Sequence, residues 1–234
     1  MELVTGGAGF IGSHLVDALV AQGKRVRVLD NFSSGREEFL AHHGEQVEVV
    51  RADLLDLDAT KAAMEGVETV HHMAANPDIR LGTEVTDTDL RQGTVATYNV
   101  LEAMRSAGVS RISFSSSSAI YGEADVMPTP ETYGPIKPIS LYGASKLASE
   151  GLISAWCGTF GAKSWIHRFA NIVGPRGTHG VIFDFIHKLK ADPTRLEVLG
   201  NGLQEKSYMS AEDCVRAMVH LVDETDDAVN LYNL

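Results

Sequence analysis

Along the chain, short apolar runs of strand length alternate with longer stretches in which apolar residues recur at helical spacing. The pattern predicts strands near residues 2–5, 25–29, 47–51, 67–73, 110–115 and 163–168. It predicts helices near 11–22, 57–65, 84–107, 142–159, 179–191 and 211–223. Runs such as Arg25-Val26-Arg27-Val28-Leu29 and Val47-Glu48-Val49-Val50 are short and β-branched, as strands buried inside a sheet are. Strands alternating with helices imply a parallel sheet covered on both faces, so the expected class is α/β and doubly wound.

Two stretches break the rhythm. Pro128, Pro130, Pro135 and Pro138 exclude helix from the region around 127–140, because proline cannot sit in a helix interior. That region reads as an ordered loop leading into the helix near Tyr142. Residues 229–234 read as a strand with no helix after it, which is unusual for this architecture. A small, incomplete C-terminal part is therefore expected.

Composition narrows the function classes. The 234 residues carry 20 Lys and Arg against 31 Asp and Glu, a formal net charge of −11. Phosphate backbones and anionic lipid repel such a chain, so neither nucleic acid nor membrane is an expected partner. Cys157 and Cys214 have no metal-ligand spacing around them, which argues against a disulfide framework or zinc site and fits a reducing compartment. No apolar run is long enough to span a bilayer and no leader pattern precedes the first strand, so a cytoplasmic location is expected.

The first strand runs into Thr5-Gly6-Gly7-Ala8-Gly9-Phe10-Ile11-Gly12. Gly6, Gly9 and Gly12 supply a tight turn, a close backbone approach to pyrophosphate and close helix–strand packing. The helix that opens there aims its first N–H groups at the anion. This context identifies a Rossmann-type nucleotide turn, which a glycine triplet alone does not. Asp30 ends the second strand, where a carboxylate accepts hydrogen bonds from ribose hydroxyls and repels a 2′-phosphate. NAD is thus expected over NADP, with Arg36 nearby as an opposing charge. Asp53 after the third strand is either an adenine contact or a helix-start acid.

A second constellation lies further on. The fifth strand leads into Ser115-Ser116-Ser117-Ser118-Ala119-Ile120-Tyr121-Gly122, and then comes Tyr142-Gly143-Ala144-Ser145-Lys146. Residues four apart share one helical face. An ammonium beside a tyrosine is expected to favour the phenolate and prepare it as a base, with a hydroxyl of the serine run holding the substrate oxygen.

These motifs, with His72-Met73-Ala74-Ala75 and Arg168-Phe169-Ala170-Asn171-Ile172-Val173-Gly174-Pro175-Arg176, resemble the extended short-chain dehydrogenase/reductases over the whole chain. Within that family the sequence is most similar to the UDP-glucose 4-epimerases. The resemblance implies NAD as cofactor, a UDP-sugar as substrate, a homodimer, and interconversion of UDP-glucose and UDP-galactose through a 4-keto sugar. It implies a catalytic group of Ser117, Tyr142 and Lys146. Tyr142 and Lys146 also serve the cofactor, together with Gly6, Gly9, Phe10, Ile11, Gly12, Asp30, Asn31, Ser34, Gly35, Asp53, Leu54, Ala74 and Ala75. Ser117, Asn171, Arg176 and Lys206 would meet the substrate. Residues 1–170 would form the NAD-binding domain, and 171–234 a partial substrate-binding region interleaved with the last strands.

Related dehydratases carry Asp-Glu after the catalytic hydroxyl, and related decarboxylases carry a Glu two before the Tyr-Gly; here these positions hold Ser118 and Ala119, which disfavours elimination. Three departures stand out: Gly93 replaces a site asparagine, Lys206-Ser207 replaces Arg-Asp, and the family usually continues past residue 234. A 4-ketoreductase, an epimerase of another UDP-sugar, and an NAD-binding module without turnover remain alternatives. Arg80 and His179 are further diphosphate candidates, with a surface role as the alternative for Arg80. Trp156 and Trp165 read as packing residues. His71-His72 point to opposite faces of a strand and cannot share a metal. His42-His43 read as solvated. The helix around Tyr98, Val100, Leu101 and Met104 and the helix around Leu147, Leu152 and Ile153 are alternatively a four-helix dimer face, as the resemblance implies, since such a pair commonly forms one in that family.

Overall fold

A computed structural model of the chain describes residues 1–78, 81–178, 180–203 and 205–234. Arg80 and His179 lie outside these described residues. The elements follow in the order β1 (Glu2–Thr5), α1 (Phe10–Ala21), β2 (Val26–Asp30), β3 (Val47–Arg51), α2 (Leu57–Ala62), β4 (Thr69–His72), α3 (Leu81–Glu84), α4 (Ala96–Ala107), β5 (Arg111–Ser117), α5 (Leu141–Phe160), β6 (Lys163–Phe169), β7 (Asn171–Val173), α6 (Val181–Ala191), β8 (Tyr208–Ser210), α7 (Ala211–Glu224) and β9 (Val229–Asn233).

Seven strands form one sheet in the order β3-β2-β1-β4-β5-β6-β9, every pair parallel. The chain leaves β1 for β2 on one side and returns to β4 on the other. Between them lies a topological switch point, where the strand ends diverge and open a crevice. Successive strand residues point to opposite faces, so Leu3 and Val4 feed different cores. Leu3 packs with Val70, Ile112, Phe114, Leu101 and Ile153. Val4 packs with Val28, Leu15, Leu19, Cys214 and Met218. Both faces of the inner strands are dry, which is why they read as near-continuous apolar runs; β3, expected to be buried, is an edge strand on which Val47 alone is buried and Val49 is 48% exposed.

The six strands expected from the pattern are all present. The C-terminal segment is a seventh strand, β9, pairing along β6 from Ser164–Val229 to Arg168–Asn233. The small parallel pair β7–β8 was not anticipated: its three-residue strands are exposed or half-buried and carry little periodic signal. The single helix expected over 84–107 is interrupted. Between α3 and α4 lie the poor helix formers Val85-Thr86-Asp87-Thr88-Asp89 and then a π-helical turn, Leu90–Val95.

The proposed dimer face needs correction. Val100, Leu101, Met104 and Ile153 are at most 1% exposed and belong to the core. α4 and α5 show the solvent Tyr98 instead, whose ring meets Trp156 edge-on with centroids 6.1 Å apart, and Phe160 beyond it. Trp165 is fully buried, its indole N–H donating to the Thr225 hydroxyl at 2.9 Å.

Candidate active site

At the carboxyl ends of β1, β2, β4, β5 and β6 lies a cleft of about 1050 Å³. One end is built from the glycine turn. Gly6 has φ +68°, and a Cβ there would stand 2.7 Å from the backbone of Ala74, so only glycine lets the turn and the β4 loop meet. Gly9 caps α1 with no side-chain hydrogen bond, leaving the first-turn N–H groups facing the cleft beside Phe10, Ile11 and Gly12. Asp30 is 7% exposed and held by two backbone donors: the Ala8 N–H at 3.0 Å and the Phe32 N–H at 2.8 Å. The Ala8 bond draws the β2 end onto the glycine turn, and the Phe32 bond fixes the chain just past β2.

Asn31, Ser34, Leu54, Ala74 and Ala75 also line the cleft. Gly35 and Asp53 do not. Gly35 packs beneath it, where a Cβ would lie 2.8 Å from Ala8 and 2.9 Å from the Asp30 carboxylate. Asp53 accepts from the Leu55 N–H and from the Asn31 amide, both at 2.9 Å. Burial raises its carboxyl, but the bonds from Leu55, Asn31 and Gln92 outweigh that and hold it low. It therefore shapes the rim by orienting Asn31.

The other end is built where β5 meets α5. Ser140 caps α5, accepting from the Gly143 N–H at 3.0 Å, which sets the first turn bearing Tyr142. Ser117 ends β5 and caps the following short turn by accepting from the Ala119 N–H at 3.2 Å. Ser117, Tyr142 and Lys146 all line the cleft. Lys146 is 3% exposed and donates to the Ser115 carbonyl at 2.5 Å.

The electrostatics differ from the expectation. Lys146 Nζ stands over the Tyr142 ring, 5.7 Å from its centroid, and donates one hydrogen bond to the Ser115 carbonyl. Burial pushes the lysine down to about 7, against the opposing pull of Glu150 and Asp89. Burial pushes the Tyr142 phenol up to about 12, Asp89 adds to this, and Ser117 is the group that favours its ionised form. Ser117, rather than Lys146, is thus the neighbour that draws the Tyr142 phenol back down from the value set by burial.

Gly93 is answered by Ser145. A Cβ at position 93 would stand 2.7 Å from the Ser145 hydroxyl, which donates to the Tyr142 carbonyl at 2.9 Å. Ser145 fills the space in which an asparagine would have to fit.

On the substrate side, Asn171 and Lys206 line the cleft and are exposed, and the Asn171 amide donates to the Ser207 carbonyl at 3.1 Å. Arg176 lines the cleft too, but its guanidinium turns away onto Asp17 of α1 at 2.8 Å and over the Phe39 ring. Its φ is +66°, an uncommon backbone for a residue with a Cβ.

Sequence reasoning missed a buried network behind the site. Arg168 binds Glu150 through two contacts, at 3.0 and 2.8 Å, and donates to the Tyr121 hydroxyl at 2.8 Å. The Ser116 hydroxyl donates to Glu150 at 2.5 Å. The signal was present, since Glu150 lies four residues beyond Lys146 on the same helix. His71 and His72 do diverge: His71 pairs with Glu2 at 3.1 Å, and His72 contacts Thr5 and Thr97 at 2.7 and 3.1 Å. The histidines expected to be solvated are not both so, since His43 is buried against Asp17 while His42 remains exposed.

A parallel sheet of this order, with a glycine turn at its switch point, is a Rossmann-type dinucleotide fold carrying an enzyme site. The chain belongs to the NAD dependent epimerase/dehydratase family, whose model matches residues 2–234. It is 36% identical over 225 residues to the UDP-glucose 4-epimerase of Mycolicibacterium smegmatis, covering 93% of this chain and 71% of that one. A crystal structure of a UDP-galactose 4-epimerase is 45% identical with TM-score 0.90, covering 100% of this chain and 76% of that one. The UDP-glucose 4-epimerase of Thermus thermophilus, solved with NAD, is 32% identical with TM-score 0.87, covering 99% and 76%. NAD is the family's cofactor, and the uncapped α1 terminus, the Cβ-free turn and the carboxylate ending β2 fit it. Among the described residues, no helix is long and apolar enough to cross a membrane.

Proposed function

We propose that this chain interconverts UDP-glucose and UDP-galactose by inverting C4 of the sugar. The observation that carries the reading is chemical. The catalytic end of the cleft presents Ser117, Ser118, Ala119, Tyr142 and Lys146, and among the described lining residues the one carboxylate is Asp30, at the far end. Elimination needs an acid and a base placed near the reacting carbons. A hydroxyl, a phenol and an ammonium suffice to move one proton to and from a sugar oxygen.

NAD, when bound, supplies the acceptor and then the donor of the C4 hydride. Ser117 orients the C4 hydroxyl, and Tyr142 takes its proton. Ser117, the neighbour that favours the phenolate, offsets part of the cost of burial. Lys146, which lines the cleft, would hold the nicotinamide ribose. The 4-keto sugar turns over, presents its other face, and Tyr142 returns the proton. Asn171 and Lys206 meet the diphosphate, and Arg176 braces its loop against α1 in the structure seen here. Residues 1–170 act as the cofactor half and 171–234 as the substrate half. The exposed rings of Tyr98 and Phe160 around half-buried Trp156 support a homodimer, and two free buried cysteines support a cytoplasmic setting.

Tyr142→Phe tests the assignment. Turnover of UDP-galactose to UDP-glucose should fall by roughly 10²–10⁴, the usual worth of a general base, with NAD affinity nearly unchanged. Unchanged turnover would reject the role of Tyr142. Absence of UDP-galactose conversion by the parent chain, with NAD bound, would reject the substrate.

A further inference from the structure

Behind the adenosine end of the cleft, three segments meet at Asp17. His43 Nε2 lies 2.7 Å and His42 Nε2 3.0 Å from the same Asp17 oxygen, Oδ1. The three ligand atoms lie within 4.8 Å of one another. The imidazoles come from the turn Ala41–Gln46, the carboxylate from α1. The two rings are tilted, with centroids 4.0 Å apart. We propose that Asp17, His42 and His43 form a site for one divalent transition-metal ion of the zinc or cobalt kind.

The donor set decides the class. Two imidazole nitrogens and one carboxylate oxygen suit zinc, cobalt, nickel or copper, whereas magnesium and calcium take oxygen ligands. Bonds of about 2.0–2.2 Å around a tetrahedral ion space its ligand atoms about 3.4 Å apart. The two histidine nitrogens, 2.7 and 3.0 Å from the carboxylate oxygen, then each draw back from it by less than about an ångström. His43 is 8% exposed and fixed, while His42 is 50% exposed and leaves a way in from solvent. The other Asp17 oxygen lies 2.8 Å from the Arg176 guanidinium, an ion pair beside the site. The same cation lowers the site's affinity, so the ion is exchangeable. Once bound, it fastens the Ala41–Gln46 turn to α1 beside Phe39, which lines the cleft, and through Asp17 to the Arg176 loop.

The test is a cobalt(II) titration of the tag-free chain, read by visible absorption. One saturable equivalent is expected, displaced by zinc and unaffected by magnesium. His42→Gln and His43→Gln should each weaken binding by roughly tenfold or more, the scale on which metal sites respond to lost partners. His187→Gln, on exposed α6, should bind as the parent does. His42 is exposed enough that its replacement leaves the fold intact, which circular dichroism would verify. No saturable binding at about 100 µM cobalt, a millimolar-scale site or weaker in free-energy terms, would overturn the proposal. So would His42→Gln and His43→Gln variants that bind as the parent does; the cluster would then be a hydrogen-bonded brace.

Discussion

Lys146 is the residue whose function should cost the fold most, and Lys146→Met measures that cost. The ammonium is 3% exposed, and burial lowers it from 10.5 to about 7. At about 1.4 kcal/mol per tenfold change, that displacement destabilises the folded state by roughly 5 kcal/mol when the lysine is fully protonated in both states. Methionine keeps the stem's packing and removes the charge. It also leaves the Ser115 carbonyl without its bond at 2.5 Å, which returns about 1–2 kcal/mol. The net expectation is a gain of roughly 3 kcal/mol, or about 6–12 °C in Tm for a chain of this size. The sign with pH is fixed. Between about 7 and 10.5 the unfolded chain binds more protons than the folded one, so parent stability rises with pH. The advantage of the variant is therefore complete below pH 7 and fades towards pH 10.5. Thermal unfolding of both cofactor-free proteins at pH 7 and pH 9.5 is the assay, with turnover measured alongside. A variant no more stable at pH 7, or a gap that does not shrink by pH 9.5, would refute the reasoning.

Three further outcomes follow from single contacts. Burial lowers His72 and His167 from 6.5 to about 3, so below pH 6.5 the unfolded state binds more protons and stability falls as pH falls. Unfolding free energies from urea titrations at pH 7 and 5 should differ by roughly 2 kcal/mol for each histidine, and His167→Asn should remove about half of the difference; equal free energies would sink this. Glu150→Ala strands the buried Arg168 guanidinium and should cost about 3–5 kcal/mol, whereas the double change with Arg168→Met should regain most of it without restoring turnover. Gly6→Ala puts a Cβ against the Ala74 backbone at φ +68° and should cost roughly 2–4 kcal/mol, read by denaturation, and weaken NAD binding; unaltered affinity would contradict the tight cradle.

What could be read from the sequence tracks how local the determining physics is. The sheet was legible because both of its faces are buried, so Val4, Val28, Val70 and Ile112 leave an apolar signature that no loop imitates. The glycine turn was legible because its requirement is steric and lies within a few residues. Tyr142 and Lys146 were legible as a helical pair, yet the charge relation assumed between them was not. Proximity in sequence places the ammonium over the ring, but its burial and its bond to the Ser115 carbonyl, on the adjoining strand, are set by the fold. Arg176 shows the same limit: its motif marks the cleft, and Asp17, more than 150 residues earlier, determines which way the guanidinium faces.

That division bears on the catalytic reading. Glu150 lies one turn past Lys146, and its carboxylate joins the Ser116 hydroxyl to Arg168 beneath the cleft. Arg168 in turn reaches Tyr121, whose hydroxyl donates to Asn233 of β9 at 2.7 Å. The strand bearing Ser117, the helix bearing Tyr142 and the last strand of the sheet are thus tied through one buried ion pair. A buried pair is weak evidence for stability, because well-packed apolar residues of similar volume often do as well. Its worth here is geometric. It holds in one register the two groups proposed to react, Ser117 and Tyr142, and a displacement of an ångström between them would cost about a hundredfold in rate. Retention of stability with loss of turnover in the Glu150 and Arg168 double replacement separates these two roles, because an apolar pair can fill the space but cannot fix the Ser116 hydroxyl.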